Sequence, residues 1–255
     1  MLAGCVYFIP SFAGHGGGGM KEYAEGSISV ADMDVSLPFY QRLGFDVIEE
    51  DQKPHRRIIV SDGQIFLRLE QTSFDSPRLV YISSEAADRA ERLQGMGIRP
   101  VEYRMPDGGT AKEFKDPNGI VVVLRHGRHP ARLTWHESQI GRFGEISIET
   151  NDPPRSMDFW KKLGFTPYPT ITSPPWPLLF DPALVAIGLH EKDLSGGIAI
   201  TYFSKDLDAC VRQLKAQGIV FATEETQEHG QHVRATLRSP DGQLFVLKSG
   251  NSPLG

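Results

Sequence analysis

One stretch of this chain is written twice, 120 residues apart. Glu25-Gly-Ser-Ile-Ser-Val-Ala-Asp32, then Ser36, Phe39, Tyr40 and Leu43-Gly-Phe45, returns as Glu145-Ile-Ser-Ile-Glu-Thr-Asn-Asp152, then Ser156, Phe159, Trp160 and Leu163-Gly-Phe165. Between 25–48 and 145–168 nine positions are identical without a gap. A repeat of this length sets the architecture before any other argument, and it lets each polar position be checked twice. At 255 residues the chain has room for two ordinary domains. We place the first over 22–126 and the second over 143–250, with a linker over 127–142. Residues 1–21, which include the run Gly16–Gly19, read as a disordered extension, with Met20 as an alternative start.

Within each copy the order is strand, helix, then further strands. Glu25 to Ala31 alternates, with Gly26, Ile28 and Val30 on one face and Glu25, Ser27 and Ser29 on the other, the pattern of a half-buried strand. Asp32 or Asp34 caps a helix whose apolar side carries Val35, Phe39 and Leu43, and Gly44 ends it. Pro38 is expected only in that helix's first turn. Asp152 followed by Pro153 and Pro154 opens the matching helix. A hairpin follows, Arg57 to Val60 and Ile65 to Glu70 about Asp62-Gly63, matched by Leu178 to Phe180 and Leu184 to His190. Each half then repeats the theme: strands at Leu79 to Ile82 and Ile200 to Phe203, helices at Glu85 to Met96 and Leu207 to Gln217. The closing strand pairs turn at Asp116-Pro-Asn-Gly119 and Ser239-Pro-Asp-Gly242.

A net charge of −5 with no basic stripe excludes a nucleic-acid backbone binder. No apolar run approaches the roughly 20 residues that span a bilayer. Cys5 and Cys210 make no disulfide framework, so a reducing cytoplasm is expected. Leu2-Ala-Gly-Cys5 has the look of a lipoprotein box but lacks a preceding basic and apolar segment. The expected partner is a small molecule, and the expected state a monomer or homodimer.

The opening strand, Asp32 with Ser36, Phe39-Tyr40, Leu43-Gly-Phe45 and the two closing turns resemble the vicinal oxygen chelate superfamily: glyoxalase I, extradiol dioxygenases, fosfomycin resistance enzymes and bleomycin-binding (bleomycin resistance) proteins. The resemblance covers 22–249. It implies an α+β fold of four tandem βαβββ modules, two per domain, whose curved mixed sheets enclose a cavity. In metal-dependent members His and Glu side chains hold a divalent ion there. By that resemblance the ligand columns fall on Glu25, Glu70, Arg78 and Val123 in the first domain, and on Glu145, His190, Ala199 and Val246 in the second.

These are severe departures. A valine offers an ion nothing, and a guanidinium repels it. The first reading is therefore a protein that binds a small apolar or aromatic molecule without a standard metal site or any cofactor. Its pocket candidates are Glu25, Ser27, Glu70, Arg78, Glu145, Ser147, Trp176, His190, His232 and Arg234. Trp176, set among prolines, reads as a pocket rim or a rigid hairpin edge. Arg78 is a candidate partner for Glu25. The alternative is a lyase or dioxygenase using one Mn, Fe, Ni or Zn ion in the second domain, held by Glu145, His190 and His232, with Glu145 the candidate catalytic group. Arg234 with Arg238 reads as an anion contact or a solvated pair. His126, His129 and His136 read as surface residues, and Cys210 as a buried inert thiol.

Overall fold

The computed structural model describes residues 22–105, 108–127, 138–168, 176–181, 185–191, 194 and 197–254. The expected extension, Cys5, His129, His136 and most of the linker lie outside the described residues.

The first half runs β1 (Glu22–Ser29), α1 (Met33–Arg42), β2 (Asp46–Asp51), β3 (Arg57–Ser61), β4 (Phe66–Glu70), β5 (Arg78–Ser83), α2 (Ala86–Gly95), β6 (Val101–Arg104), β7 (Thr110–Lys115) and β8 (Val121–His126). The second runs β9 (Arg142–Glu149), α3 (Pro153–Lys162), β10 (Thr166–Pro167), β11 (Leu178–Phe180), β12 (Ala186–His190), β13 (Ile198–Ser204), α4 (Leu207–Ala216), β14 (Phe221–Thr226), β15 (His232–Arg238) and β16 (Leu244–Ser249). Strand, helix and three strands thus occur four times, as two eight-stranded mixed sheets of order β2-β3-β4-β1-β5-β8-β7-β6 and β10-β11-β12-β9-β13-β16-β15-β14. In each sheet the opening strand runs parallel to the last strand of its own module and antiparallel to the first strand of the next.

Strand alternation gives each sheet two chemically different faces. Ala24, Ile28, Leu67, Leu69, Leu79 and Tyr81 enter one core shared with Ile146, Ile148, Ile187 and Tyr202 of the other half. The opposite face of the first sheet carries Glu25, Ser27, Arg68 and Arg78 beside a second cluster built on Tyr23, Phe66, Val80 and Val123.

The Asp32 carboxylate accepts the Asp34 N–H at 2.9 Å, and Asp152 accepts that of Arg155 at 3.0 Å, so both repeated aspartates are N-caps. Gly44 and Gly164 end their helices at φ +94° and +102°, where a side chain is strained. Two expectations for α1 are corrected. Its buried side is Met33, Ser36, Phe39 and Tyr40, at helical spacing, and Val35 points to solvent at 53% exposure. Pro38 lies within the helix rather than in its first turn. Cys210 is buried on α4, and loss of hydration pushes its thiol up to about 11, keeping it protonated at neutral pH.

The halves grip each other reciprocally. The Ser36 hydroxyl on α1 donates to Asp241 of the second closing turn, which also accepts the Ala31 N–H at 3.1 Å. Asn118 of the first closing turn donates to the Ser156 hydroxyl on α3 at 3.1 Å. The repeated aromatics follow: Phe39 and Tyr40 lie 6.3 and 6.2 Å from Phe245, and Phe159 lies 6.1 Å from Phe114. Ser36, Ser156 and the closing turns are therefore docking residues. No helix among the described residues is long and apolar enough to cross a membrane.

Candidate functional site

In the first half β1 and β4 lie side by side with Ser27 opposite Arg68, so Glu25, Ser27, Arg68 and Glu70 share one face. Arg68 sends Nε to one oxygen of Glu25 and Nη2 to the other, the latter at 3.2 Å. Both side chains are buried, which a bidentate pair tolerates and a lone charge does not. The expected Glu25–Arg78 pairing is thus corrected: Ser27 lies opposite Arg68 on one side and Arg78 on the other, and Arg68 takes the carboxylate while the Asp75 carbonyl accepts the Arg78 Nε–H at 3.0 Å. Arg78 pairs instead with Glu113 at 3.5 Å and lies against Phe74 and Tyr103, 4.6 and 5.0 Å from the ring centres. Ser27 donates to Glu70 at 2.8 Å, and His55 meets the other Glu70 oxygen at 3.2 Å. Glu25, Ser27, Glu70, Arg78, Val80, Tyr103, Met105 and Val123 line one cleft. Four of the ten sequence candidates come together here.

In the second half the equivalent carboxylate, Glu145, is fully buried, and among the described residues its partners are a serine, a histidine and a tryptophan rather than an arginine. Its Oε1 accepts from Ser147 at 2.8 Å and contacts His190 Nε2 at 2.5 Å, while its Oε2 accepts the Trp176 indole N–H at 2.8 Å. Ser147 also bonds Thr201 at 2.7 Å. Trp176 and His190 lie 4.5 Å apart, centre to centre, and the Lys248 ammonium sits 3.7 Å from the indole centre. Gly188 stands where the first half has Arg68, opposite Ser147. A Cβ there would overlap the Glu145 carboxyl carbon and both oxygens, so the glycine is the hollow that seats the carboxylate. Glu145, Ser147, Trp176 and His190 are therefore one cluster.

His232 and Arg234 are not part of it. Both lie on β15, which β13 and β16 separate from β9. A register irregularity at Glu225/Thr226 accompanies a turned-away His232, whose Nδ1 meets Asp208 at 2.6 Å and Nε2 meets Glu224 at 2.9 Å. Arg234 pairs with Glu225 at 2.6 Å, and Arg238 donates to the Gly242 carbonyl at 3.0 Å. The carboxylates of Asp208 and Glu224 raise the His232 pKa. The imidazolium's contribution to stability is complete below the ordinary histidine value near 6.5 and is lost as pH rises through the raised folded value. Replacing His232 by alanine is expected to lower the melting temperature by roughly 2 °C near pH 6, and by clearly less at pH 9. Equal losses at both pH values would rule out a charged clasp.

Sequence reasoning missed Arg68, Gly188, Thr201 and Lys248. Two left a signal: an arginine in the apolar run Ile65-Phe-Leu-Arg-Leu-Glu70 must find an anion, and a glycine inside Ala186-Ile-Gly-Leu-His190 marks a close approach.

No family model matches the chain, and no curated relative does. Solved structures do. A homoprotocatechuate 2,3-dioxygenase from Arthrobacter globiformis is similar over 96% of this chain and 84% of its own, at TM-score 0.61 and 19% identity. A catechol 2,3-dioxygenase is similar over 92% and 90%, at TM-score 0.58 and 15% identity. A Mn(II)-bound glyoxalase from Novosphingobium aromaticivorans is similar over 90% and 82%, at TM-score 0.57 and 14% identity. The chain has the vicinal oxygen chelate fold. At these identities the likeness speaks for the fold alone.

A metal of the kind used on the vicinal oxygen chelate fold does not fit the donors at its ligand columns. In the first half Arg68 and Arg78 bring two guanidinium groups to the site, and Val123 supplies no donor. In the second half both Glu145 oxygens already accept hydrogen bonds, while Ala199 and Val246 are apolar. Among the described residues no three His, Cys, Asp or Glu side chains are arranged to hold an ion.

Proposed function

We propose that this chain is a small-molecule-binding protein of the vicinal oxygen chelate fold that works without a metal, holding an apolar or aromatic compound in the first-half cleft. The observation that carries the reading is the pair of arginines: Arg78 stands at one ligand column with its guanidinium over Phe74 and Tyr103, and Arg68 binds Glu25 at another. Val80, Met105 and Val123 offer apolar surface, worth roughly 25 cal/mol per Å² covered. Ser27, Glu70 and His55 form a fixed polar end that orients a ligand without chemistry of their own.

A panel of small aromatic compounds tests this by thermal shift. A compound at about 100 times its Kd stabilises the chain by about 2.7 kcal/mol. Val123→Trp, which fills the cleft, and Arg78→Ala are expected to abolish that shift. No shift from any compound, or a shift that survives both variants, overturns the site. Elemental analysis of protein purified without chelator or metal column decides the other reading, a lyase or dioxygenase centred on the Glu145–His190 contact. Near-stoichiometric Mn, Fe, Ni or Zn overturns the metal-free proposal.

A further inference from the structure

The two halves meet over a small apolar cavity, on the face of the first sheet opposite the cleft. In the first half Leu67, Gly26 and Leu79 form one row across β4, β1 and β5. The equivalent row of the second half is Ile187, Ile146 and Ile200, across β12, β9 and β13. The two opening strands thus differ at the centre of the row. Where the second copy carries isoleucine the first carries glycine, and a sec-butyl group is missing from the packed layer. Leu67 leans toward the gap, its Cδ2 3.0 Å from where a Gly26 Cβ would stand, and does not close it. Gly26, Leu67, Leu79, Ile146, Ile198 and Ile200 wall the cavity that remains.

Gln243 lines the same cavity and is 3% exposed. It follows the second closing turn, at the position that Ile120 holds after the first. Its Nε2 donates to the Leu244 carbonyl at 2.9 Å and to the Ile198 carbonyl at 3.2 Å, which fixes the side-chain amide. Among the described residues nothing donates to its Oε1. Glu25 and Arg78 also border the cavity, but their side chains are committed to Arg68 and Glu113. A buried acceptor without a donor is costly. Water answers it poorly, because a buried water needs several polar partners and these walls are apolar. A molecule with one O–H and an alkyl body meets both demands: the hydroxyl donates to Oε1, and the carbons fill the space beside Gly26. A charged group is disfavoured in so dry a place.

We infer that the cavity between the halves is a binding site for short uncharged aliphatic alcohols of about butyl size, held by a hydrogen bond to Gln243 Oε1 and by apolar contact with Gly26, Ile146 and Ile200. This site is separate from the first-half cleft and does not depend on it.

The test adds n-butanol and its isomer methyl propyl ether to the unaltered chain and follows the isoleucine methyl resonances by NMR. Millimolar n-butanol is expected to shift the Ile146, Ile198 and Ile200 methyls saturably. The ether has the same atoms but no donor, and is expected to bind at least tenfold more weakly. Gly26→Val, which places carbons in the gap, is expected to weaken n-butanol binding at least tenfold. Unmoved isoleucine methyls, equal affinity for alcohol and ether, or binding that survives Gly26→Val overturns the inference. Should that variant fail to fold, the preference for alcohol over ether at these methyls in the unaltered chain decides. Binding that disappears with Val123→Trp and persists in Gly26→Val belongs to the first-half cleft, so the two sites fail separately.

Discussion

Replacing Arg68 by methionine is expected to destabilise the protein by about 3–5 kcal/mol. Glu25 is 1% exposed, and Arg68 meets both of its oxygens. Removing the guanidinium leaves a carboxylate in a dry place, and the loss reflects that stranded charge more than the net worth of the pair. Changing both partners should therefore restore most of the stability, since a well-packed apolar pair often replaces a buried ion pair at little cost. Urea unfolding of Arg68→Met, Glu25→Leu and the double variant gives the cycle. If Arg68→Met stays within about 1 kcal/mol of the unaltered chain, the carboxylate has another source of charge compensation and the assignment fails.

The second large effect is expected from a single methyl group. Gly188→Ala drives a Cβ into the Glu145 carboxyl group, so the carboxylate must leave the bonds from Ser147, His190 and Trp176 together. Overpacking with the loss of those bonds is expected to cost about 3 kcal/mol or more. The Trp176 indole, released from its acceptor, should become more exposed, seen as a red shift in fluorescence. Gly95→Ala is the control. It lies in α2, a Cβ there meets nothing within 4 Å, and the change should be neutral or mildly stabilising. Gly188→Ala behaving like Gly95→Ala would mean that Glu145 can sit elsewhere at no loss.

The order of elements was legible because it rests on local signals. Asp32 and Asp152 cap, Gly44 and Gly164 stop, and alternation puts Glu25 and Glu145 on the cleft face. Partnership was less legible, because it depends on which strands become neighbours. Arg78 and Arg68 both alternate onto the cleft face and both flank Ser27, so what separates them is what else each meets: the Asp75 carbonyl and Glu113 hold Arg78, and Arg68 holds Glu25. His232 shows the other limit: its place in the site depended on which way its strand faces, and Asp208 at the start of α4 holds it away from Glu145. Val35 failed for a nearer reason. It was grouped with Phe39 and Leu43 at steps of four, but the helix buries the row through Met33, Ser36, Phe39 and Tyr40.

The reciprocal grip between Ser36 and Asp241, and between Asn118 and Ser156, has a historical consequence. Each half offers the other a helix serine and a turn to hold it. A solitary half could therefore satisfy both contacts with a second copy of itself about a two-fold axis. Tandem fusion makes that association intramolecular and so immune to dilution. It also lifts the requirement that both copies remain alike. One repeated glutamate meets an arginine and the other a histidine and a tryptophan, a difference that a dimer of identical chains cannot carry.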